Sequence, residues 1–183
     1  VTGSADHSVI VWDLNRCRFV RQLKEPDQPI QLVAIDDQRG WIAAAAGSEV
    51  WVWSINGFLL VHQSTRSATN DPPSSMTFVA RDFHVDKLGV LVTGHRDCIV
   101  MWDIVSNHAR ATPPRWRLEK NTVLSLRQSS KATCLYMPNT STLCTGHEDG
   151  EVYVWTLPGA ATLPKAPQEQ CIGQCLSLIH ISE

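Results

Sequence analysis

The sequence predicts an all-β fold, a partial β-propeller of about three and a half to four blades of four antiparallel strands each. Three observations predict it. A motif of an apolar strand ending in a small residue and Gly, a polar turn, and a strand reaching Trp occurs four times. Its copies read VTGSADHSVIVWDL (1–14), AAGSEVWVWSI (45–55), LVTGHRDCIVMWDI (91–104) and CTGHEDGEVYVWTL (144–157). The spacing is regular: Gly3, Gly47, Gly94 and Gly146 lie 44, 47 and 52 residues apart, and Trp12, Trp53, Trp102 and Trp155 lie 41, 49 and 53 apart. A period of about 40 to 50 residues with a terminal Trp is the signature of four-stranded propeller blades. Finally, eight, five, seven and eight residues separate Gly from Trp in successive copies, room for a tight turn and one strand, with a shortened turn in the second.

The elements follow in order. Val1 to Gly3 reads as the end of a strand whose beginning is missing, so the chain is expected to be a fragment entered partway through a blade. Ser8 to Asp13 places Val9 and Val11 on one face and Ile10 and Trp12 on the other, both apolar, as in a strand sandwiched between neighbours. In Cys17 to Leu23, Arg18 and Arg21 punctuate Phe19, Val20 and Leu23, the protected pattern of an edge strand. Ile30 to Ile35 opens the second blade, and the turn Asp36 to Gly40 leads to Trp41–Ala46. That alanine-rich run is too short for a stable helix and reads as a strand. Glu49 to Ile55, the Asn56-Gly57 hairpin and Phe58 to Gln63 complete the blade. Ser64 to Ser75 reads as a polar loop. Met76 to Phe83, Leu88 to Thr93 and Cys98 to Ile104 supply three strands of the third blade, followed by a protruding connection from Val105 to Pro114. Ala132 to Met137, Thr142 to Thr145 and Glu151 to Leu157 give the fourth. The expected propeller thus spans residues 1–157, with blades at about 1–24, 29–64, 75–127 and 131–157. Residues 158–183 hold Pro158, Pro164 and Pro167 and read as linker and irregular tail. The apolar end from Cys175 reads as a closing strand or, because LSLIHISE resembles translated sequencing-adapter read-through, as an artefact; it carries no functional weight.

Composition narrows the function. Apolar residues at 43% and charged residues at 19% are globular values, and 183 residues suffice for a core. A net charge of -2 argues against general nucleic-acid binding, which needs excess Lys and Arg. No apolar run reaches bilayer-spanning length. The six cysteines (Cys17, Cys98, Cys134, Cys144, Cys171, Cys175) read as reduced thiols, four of them in strands among apolar neighbours. From Arg110 to Lys131 there are six basic residues against Glu119, a solvated basic face or a contact for an acidic partner or lipid headgroups.

The four segments resemble the WD-repeat β-propeller family. That resemblance implies structural roles for a strand hydroxyl, a turn Asp and a strand Trp: Thr2, Asp6 and Trp12; Thr93, Asp97 and Trp102; Thr145, Asp149 and Trp155. In the second copy Ala46 replaces the hydroxyl and the Asp is missing, leaving Trp53. The family's Gly-His pair ahead of the first strand is absent, so its four-residue hydrogen-bonded set is reduced to triads. More narrowly, VWSINGFLLV (52–61), followed by VTGHRDCIVMWDI and TGHEDGEVYVW, is similar to the carboxy-terminal propeller of BEACH-domain proteins. That resemblance implies a cytoplasmic scaffold in vesicle trafficking, lysosome biology or selective autophagy, peripheral to vesicle or lysosomal membranes. Its partners would be the remainder of the propeller, an upstream BEACH domain, and other proteins or peptides.

No phosphate loop, nucleophile elbow or paired zinc motif occurs, and neither a cofactor nor a metal is expected. His95 with Asp97, His147 with Glu148 and Asp149, and His84 with Asp86 read as turn residues rather than ligands or acid–base groups. The expected function is a non-catalytic scaffold whose candidate partner-binding loops include His7, Arg96, Glu148, Arg110 and Arg115. Two alternatives stand beside it: a hydrolase-like propeller enzyme, and a WD-repeat scaffold of an unrelated complex. An incomplete ring should leave apolar sheet faces bare at both ends.

Overall fold

Each Gly-to-Trp repeat folds into one small antiparallel sheet, and four such sheets follow one another along the chain. The computed structural model describes residues 1–79, 88–106, 116–126, 130–139 and 142–157. Sheet one holds β1 (Thr2–Gly3), β2 (Val9–Asp13) and β3 (Arg18–Leu23). Sheet two holds β4 (Leu32–Asp36), β5 (Trp41–Ala46), β6 (Glu49–Ser54) and β7 (Leu59–Ser64). Sheet three holds β8 (Ser75–Val79), β9 (Gly89–Gly94), β10 (Cys98–Ser106) and β11 (Trp116–Ser125). Sheet four holds β12 (Ala132–Asn139), β13 (Thr142–His147) and β14 (Val152–Thr156). Every sheet is a meander in chain order, as in a partial, open propeller. Among the described residues, sheet one lacks a strand ahead of β1 and sheet four lacks one after β14.

The hydrophobic material lies between sheets. On strands of period two, one face of sheet two (Ile42, Ala44, Ala46, Trp51, Trp53) packs on Val9, Val11 and Leu23 of sheet one. Its other face (Ala43, Ala45, Val50, Val52, Val61) receives Leu91, Val100 and Trp102 of sheet three. The far face of sheet three (Val90, Val92, Ile99, Met101) receives Leu143 and the half-buried Trp155 of sheet four. In sheets two, three and four the Trp therefore points at the preceding sheet. The alanines of β5, each 0% exposed, let neighbouring sheets and their indoles approach closely. In the three sheets with a following strand, a β-bulge falls immediately before the Trp, at Val11/Trp12, Val52/Trp53 and Met101/Trp102. The extra residue increases local twist and aims the indole.

Turn chemistry holds these strands in register. Gly40 and Gly57 take φ of 65° and 84°, where a side chain would be strained. Between sheets, the Gln63 amide donates to the Leu118 carbonyl (2.8 Å) and accepts from the Leu118 N–H (2.9 Å). A side chain on β7 thus pairs with the backbone of β11 as another strand would. At the other side of the interface Asp36 and Arg39 form an ion pair at 2.7 Å, both almost fully buried, with Arg39 over the Trp41 ring.

Three expectations need correction. Trp12 is not sandwiched: it is 42% exposed, because its face points where a preceding sheet would stand and none is present among the described residues. The strand cysteines are not core residues. Cys17 sits exposed in a turn at φ 48°, Cys134 is exposed, and Cys98 and Cys144 are half-buried. The third sheet also has a long fourth strand, β11, within a stretch whose polar and basic residues masked its periodicity. Its Arg117 and Lys120 are exposed, and Arg117 pairs with Glu119. The expected residues of the 107–115 connection and the 158–183 tail, with Cys171, Cys175, His84 and Asp86, lie outside the described residues.

Burial ranks the indoles. Trp102, 1% exposed, should cost about 3–5 kcal/mol when truncated to Ala. Trp12→Ala should cost under about 1 kcal/mol, with half-buried Trp155 between them. Urea unfolding of the three variants checks the order; equal losses would refute the one-directional packing.

Candidate functional site

The polar groups of the repeat converge at one end of each sheet, where the second strand turns into the third. In sheet three the Trp102 Nε1–H donates to Thr93 Oγ1 at 2.8 Å, Thr93 Oγ1 lies 2.9 Å from His95 Nε2, and His95 Nδ1 lies 3.0 Å from the Asp71 carbonyl. A carbonyl can only accept, so Nδ1 carries the proton and Nε2 accepts from the Thr93 hydroxyl. All the groups are then satisfied, and the relay ties an indole to the preceding loop through a neutral imidazole. Sheet four repeats it: Trp155 Nε1 to Thr145 Oγ1 at 3.1 Å, Thr145 to His147 Nε2 at 2.9 Å, and His147 Nδ1 to the Ser130 carbonyl at 3.2 Å. His95 and His147 are buried, not turn-exposed. They lie two residues beyond their Thr and so on the same strand face. That Thr-x-His spacing was the signal that sequence reasoning missed: the histidine comes from within the motif, not from ahead of the first strand.

The other sheets depart from the relay in an ordered way. In sheet one Trp12 donates to Thr2 Oγ1 at 2.9 Å, and Ser4 stands where His would. In sheet two, register revises the alignment. Thr93 lies two residues past Leu91, the residue opposite Trp102, and Thr145 two past Leu143, opposite Trp155. Trp53 lies opposite Ile42, so the residue in the Thr position is Ala44, and Ala46 holds the His position. The β5–β6 turn is therefore not shortened: Ala46 pairs with Glu49 as His95 does with Cys98, each around two residues, and Gly47 is a turn glycine rather than the counterpart of Gly94. Trp53 Nε1 is consequently buried with no hydrogen-bond partner among the described residues.

The turn aspartates stay with their own turns. Asp6 Oδ1 accepts from the Ser8 hydroxyl (2.6 Å) and Ser8 N–H (3.0 Å), and Asp149 Oδ1 from the Glu151 N–H (3.0 Å). The Ser8 hydroxyl, foremost, holds the Asp6 carboxyl below its usual range, and the Glu151 N–H does so for Asp149. Asp97 contributes its carbonyl, which accepts from the Leu126 N–H at 3.0 Å. Around these turns Asp6, Arg96, Asp97, Glu148 and Asp149 are exposed and His7 is half-buried at φ 67°. Arg110 and Arg115 lie outside the described residues. Among the described residues no group of three or more His, Cys, Asp or Glu could hold a metal ion.

Two outcomes follow. Ala44→Ser should give the Trp53 N–H an acceptor and raise stability by about 1 kcal/mol. Ala44→Val, which fills the space without an acceptor, should not; equal effects in thermal unfolding would dismiss the orphaned donor. Second, burial is the largest influence on His95 and lowers its pKa, against the raising pull of the Asp71 and Pro72 backbone and the Asp71 charge. A folded pKa below the unfolded value of about 6.5 means that the unfolded chain binds the proton first. Stability is then complete above that value and declines as pH falls toward the lower folded pKa. His95→Gln should flatten that decline in denaturant titrations between neutral and mildly acidic pH, and an unchanged slope would remove His95 as its source.

The chain matches no family model. It is 29% identical to Protein SPIRRIG of Arabidopsis thaliana over 86% of this chain and 5% of that protein. It is 30% identical to BEACH domain-containing protein A2 of Arabidopsis thaliana over 90% of this chain and 5% of that protein. With WD repeat- and FYVE domain-containing protein 4 of Homo sapiens it shares 26% identity over 87% of this chain and 6% of that protein. The chain thus spans only a small part of the relatives it matches. With four meander sheets and a Trp-to-Thr hydrogen bond in three of them, it is a partial WD-repeat β-propeller that resembles the propeller of BEACH-domain proteins.

Proposed function

We propose that the chain is a non-catalytic interaction platform of a BEACH-type WD-repeat protein, serving vesicle trafficking, lysosome biology or selective autophagy. One observation carries this reading. The groups in the repeat that could do chemistry are committed to structure: both motif histidines to the relays, the Asp6 and Asp149 carboxylates to their own turns. What the turns offer outward is a set of charged side chains on a rigid frame, suited to grip a peptide or a protein surface. Partners would dock on the rim around His7, Arg96 and Glu148, with Arg110 and Arg115 as further candidates. In a longer parent protein, further blades would cover the outer faces and a BEACH domain would stand upstream. No helix among the described residues is long and apolar enough to cross a membrane. The setting proposed is cytoplasmic, peripheral to vesicle or lysosomal membranes.

A displayed peptide library panned against the folded chain tests the platform. Selected peptides should lose at least tenfold in affinity with Arg96→Glu combined with Glu148→Lys and keep it with Lys120→Glu on β11. Turnover of any compound in a hydrolase substrate panel, abolished by His147→Ala, would reverse the reading in favour of an enzyme.

A further inference from the structure

Turns in a meander alternate between the two ends of a sheet, so the β1–β2, β9–β10 and β13–β14 turns stand at one end and the β2–β3 and β6–β7 turns at the other. The two sets differ in charge. The first exposes Asp6, Asp97, Glu148 and Asp149 against Arg96. The β2–β3 turn and the start of β3 expose Arg16 and Arg18, with a half-buried Asp13 paired to Arg16 at 3.0 Å. Arg21 reaches from β3 across to sheet two, where its guanidinium donates to the Asn56 carbonyl and so brings a positive charge to the β6–β7 turn. On the neighbouring β4–β5 turn Asp37 is exposed, while Asp36 and Arg39 cancel one another.

Apolar side chains stand out on the same two turns. Leu14 is 83% exposed, Ile55 45% and Phe58 70%. The β6–β7 turn is closed by bonds from the Ser54 N–H to the Phe58 carbonyl (2.9 Å) and from the Gly57 N–H to the Ser54 carbonyl (2.8 Å). The Ile55 N–H is tied to the Gly40 carbonyl at 2.6 Å. A turn fixed in this way keeps Ile55 and Phe58 in water, a cost that nothing within the sheet offsets. Both residues belong to sheet two, which has a neighbour on each side, and to its end rather than its faces. Further blades in a longer parent would therefore leave them bare.

Apolar turn tips flanked by arginines, on the end away from the acidic turns, match a negatively charged lipid surface. The tips can enter the headgroup layer while the guanidinium groups meet the lipid charges and the acidic end is turned away. A protein interface is built instead around a contiguous buried core. From this we infer that the β2–β3 and β6–β7 turns seat the chain on an anionic membrane, through Leu14, Ile55 and Phe58 with Arg16, Arg18 and Arg21. This deepens the membrane-peripheral setting proposed above and rests on it. It also leaves the opposite rim facing away from the lipid, free for protein partners.

Sedimentation of the full 183-residue chain with phosphatidylcholine vesicles, with and without phosphatidylserine, tests it. The chain should travel with the phosphatidylserine vesicles alone and be released as salt rises. Ile55→Ser combined with Phe58→Ser should weaken that binding by about tenfold or more, and Arg18→Glu should weaken it as well. Phe58→Leu, still apolar, should keep it, and so should Trp12→Ala on the outer face of sheet one. A chain that stays in solution with both kinds of vesicle overturns the inference and leaves these turns to a protein partner. So does binding that survives the double serine variant, and so does binding abolished by Trp12→Ala, which would mean adsorption through the outer face. Peptide capture at the opposite rim is read in a separate assay, so the platform stands or falls independently of the vesicles.

Discussion

The described sheets depend on a Trp side chain reaching out of its own sheet onto the apolar face of the sheet before it. A sheet of three or four short strands cannot bury enough apolar area by itself, so each becomes stable only when a neighbour covers it. Trp102 against the β5 alanines shows the arrangement most fully, with the indole and its floor all but sealed from solvent. The bulge before the Trp, the tight second turn and the clasp between Gln63 and Leu118 all hold sheets at the separation that this insertion demands.

Placing an indole in such a slot creates a polar debt, since its N–H must be desolvated along with the ring. The repeat answers with a threonine two residues along the neighbouring strand and, in sheets three and four, with a histidine two residues further. A His beside acidic residues, read from the sequence as a turn residue, serves here as a bridge from the indole to the loop behind it. Sheet two fills both positions with alanine and accepts an unmet donor. The same short side chains, all fully buried, line both of its interfaces.

The four-sheet architecture was legible because Trp and Gly recur at a fixed period and because turn residues such as Asn56-Gly57 punctuate the strands. The alanine run of β5 was legible as a strand from its length alone. Less visible was β11, where Arg117, Glu119, Lys120 and Asn121 face solvent on a perimeter strand and dilute the alternation. The register of β5 against β6 was hidden as well. Aligning on Gly47 equates a turn glycine with Gly94, a strand residue, and only the backbone pairing shows that Ala44 takes the threonine position. The histidines escaped for a related reason: Thr-Gly-His looks like a strand followed by a turn, whereas β13 continues through His147 and His95 remains paired to Cys98. Where a side chain goes at a strand end depends on one more hydrogen bond, which the letters alone do not display.

Because the apolar material is divided into three separate layers, no single nucleus holds the molecule together. Sheets one and four, each covered on one side among the described residues, are expected to loosen before the inner two. Amide protons on β5, β6, β9 and β10, shielded from both directions, would be the last to exchange with solvent. Disorder in such a molecule enters from the ends and works inward, like a stack shedding its outermost plates.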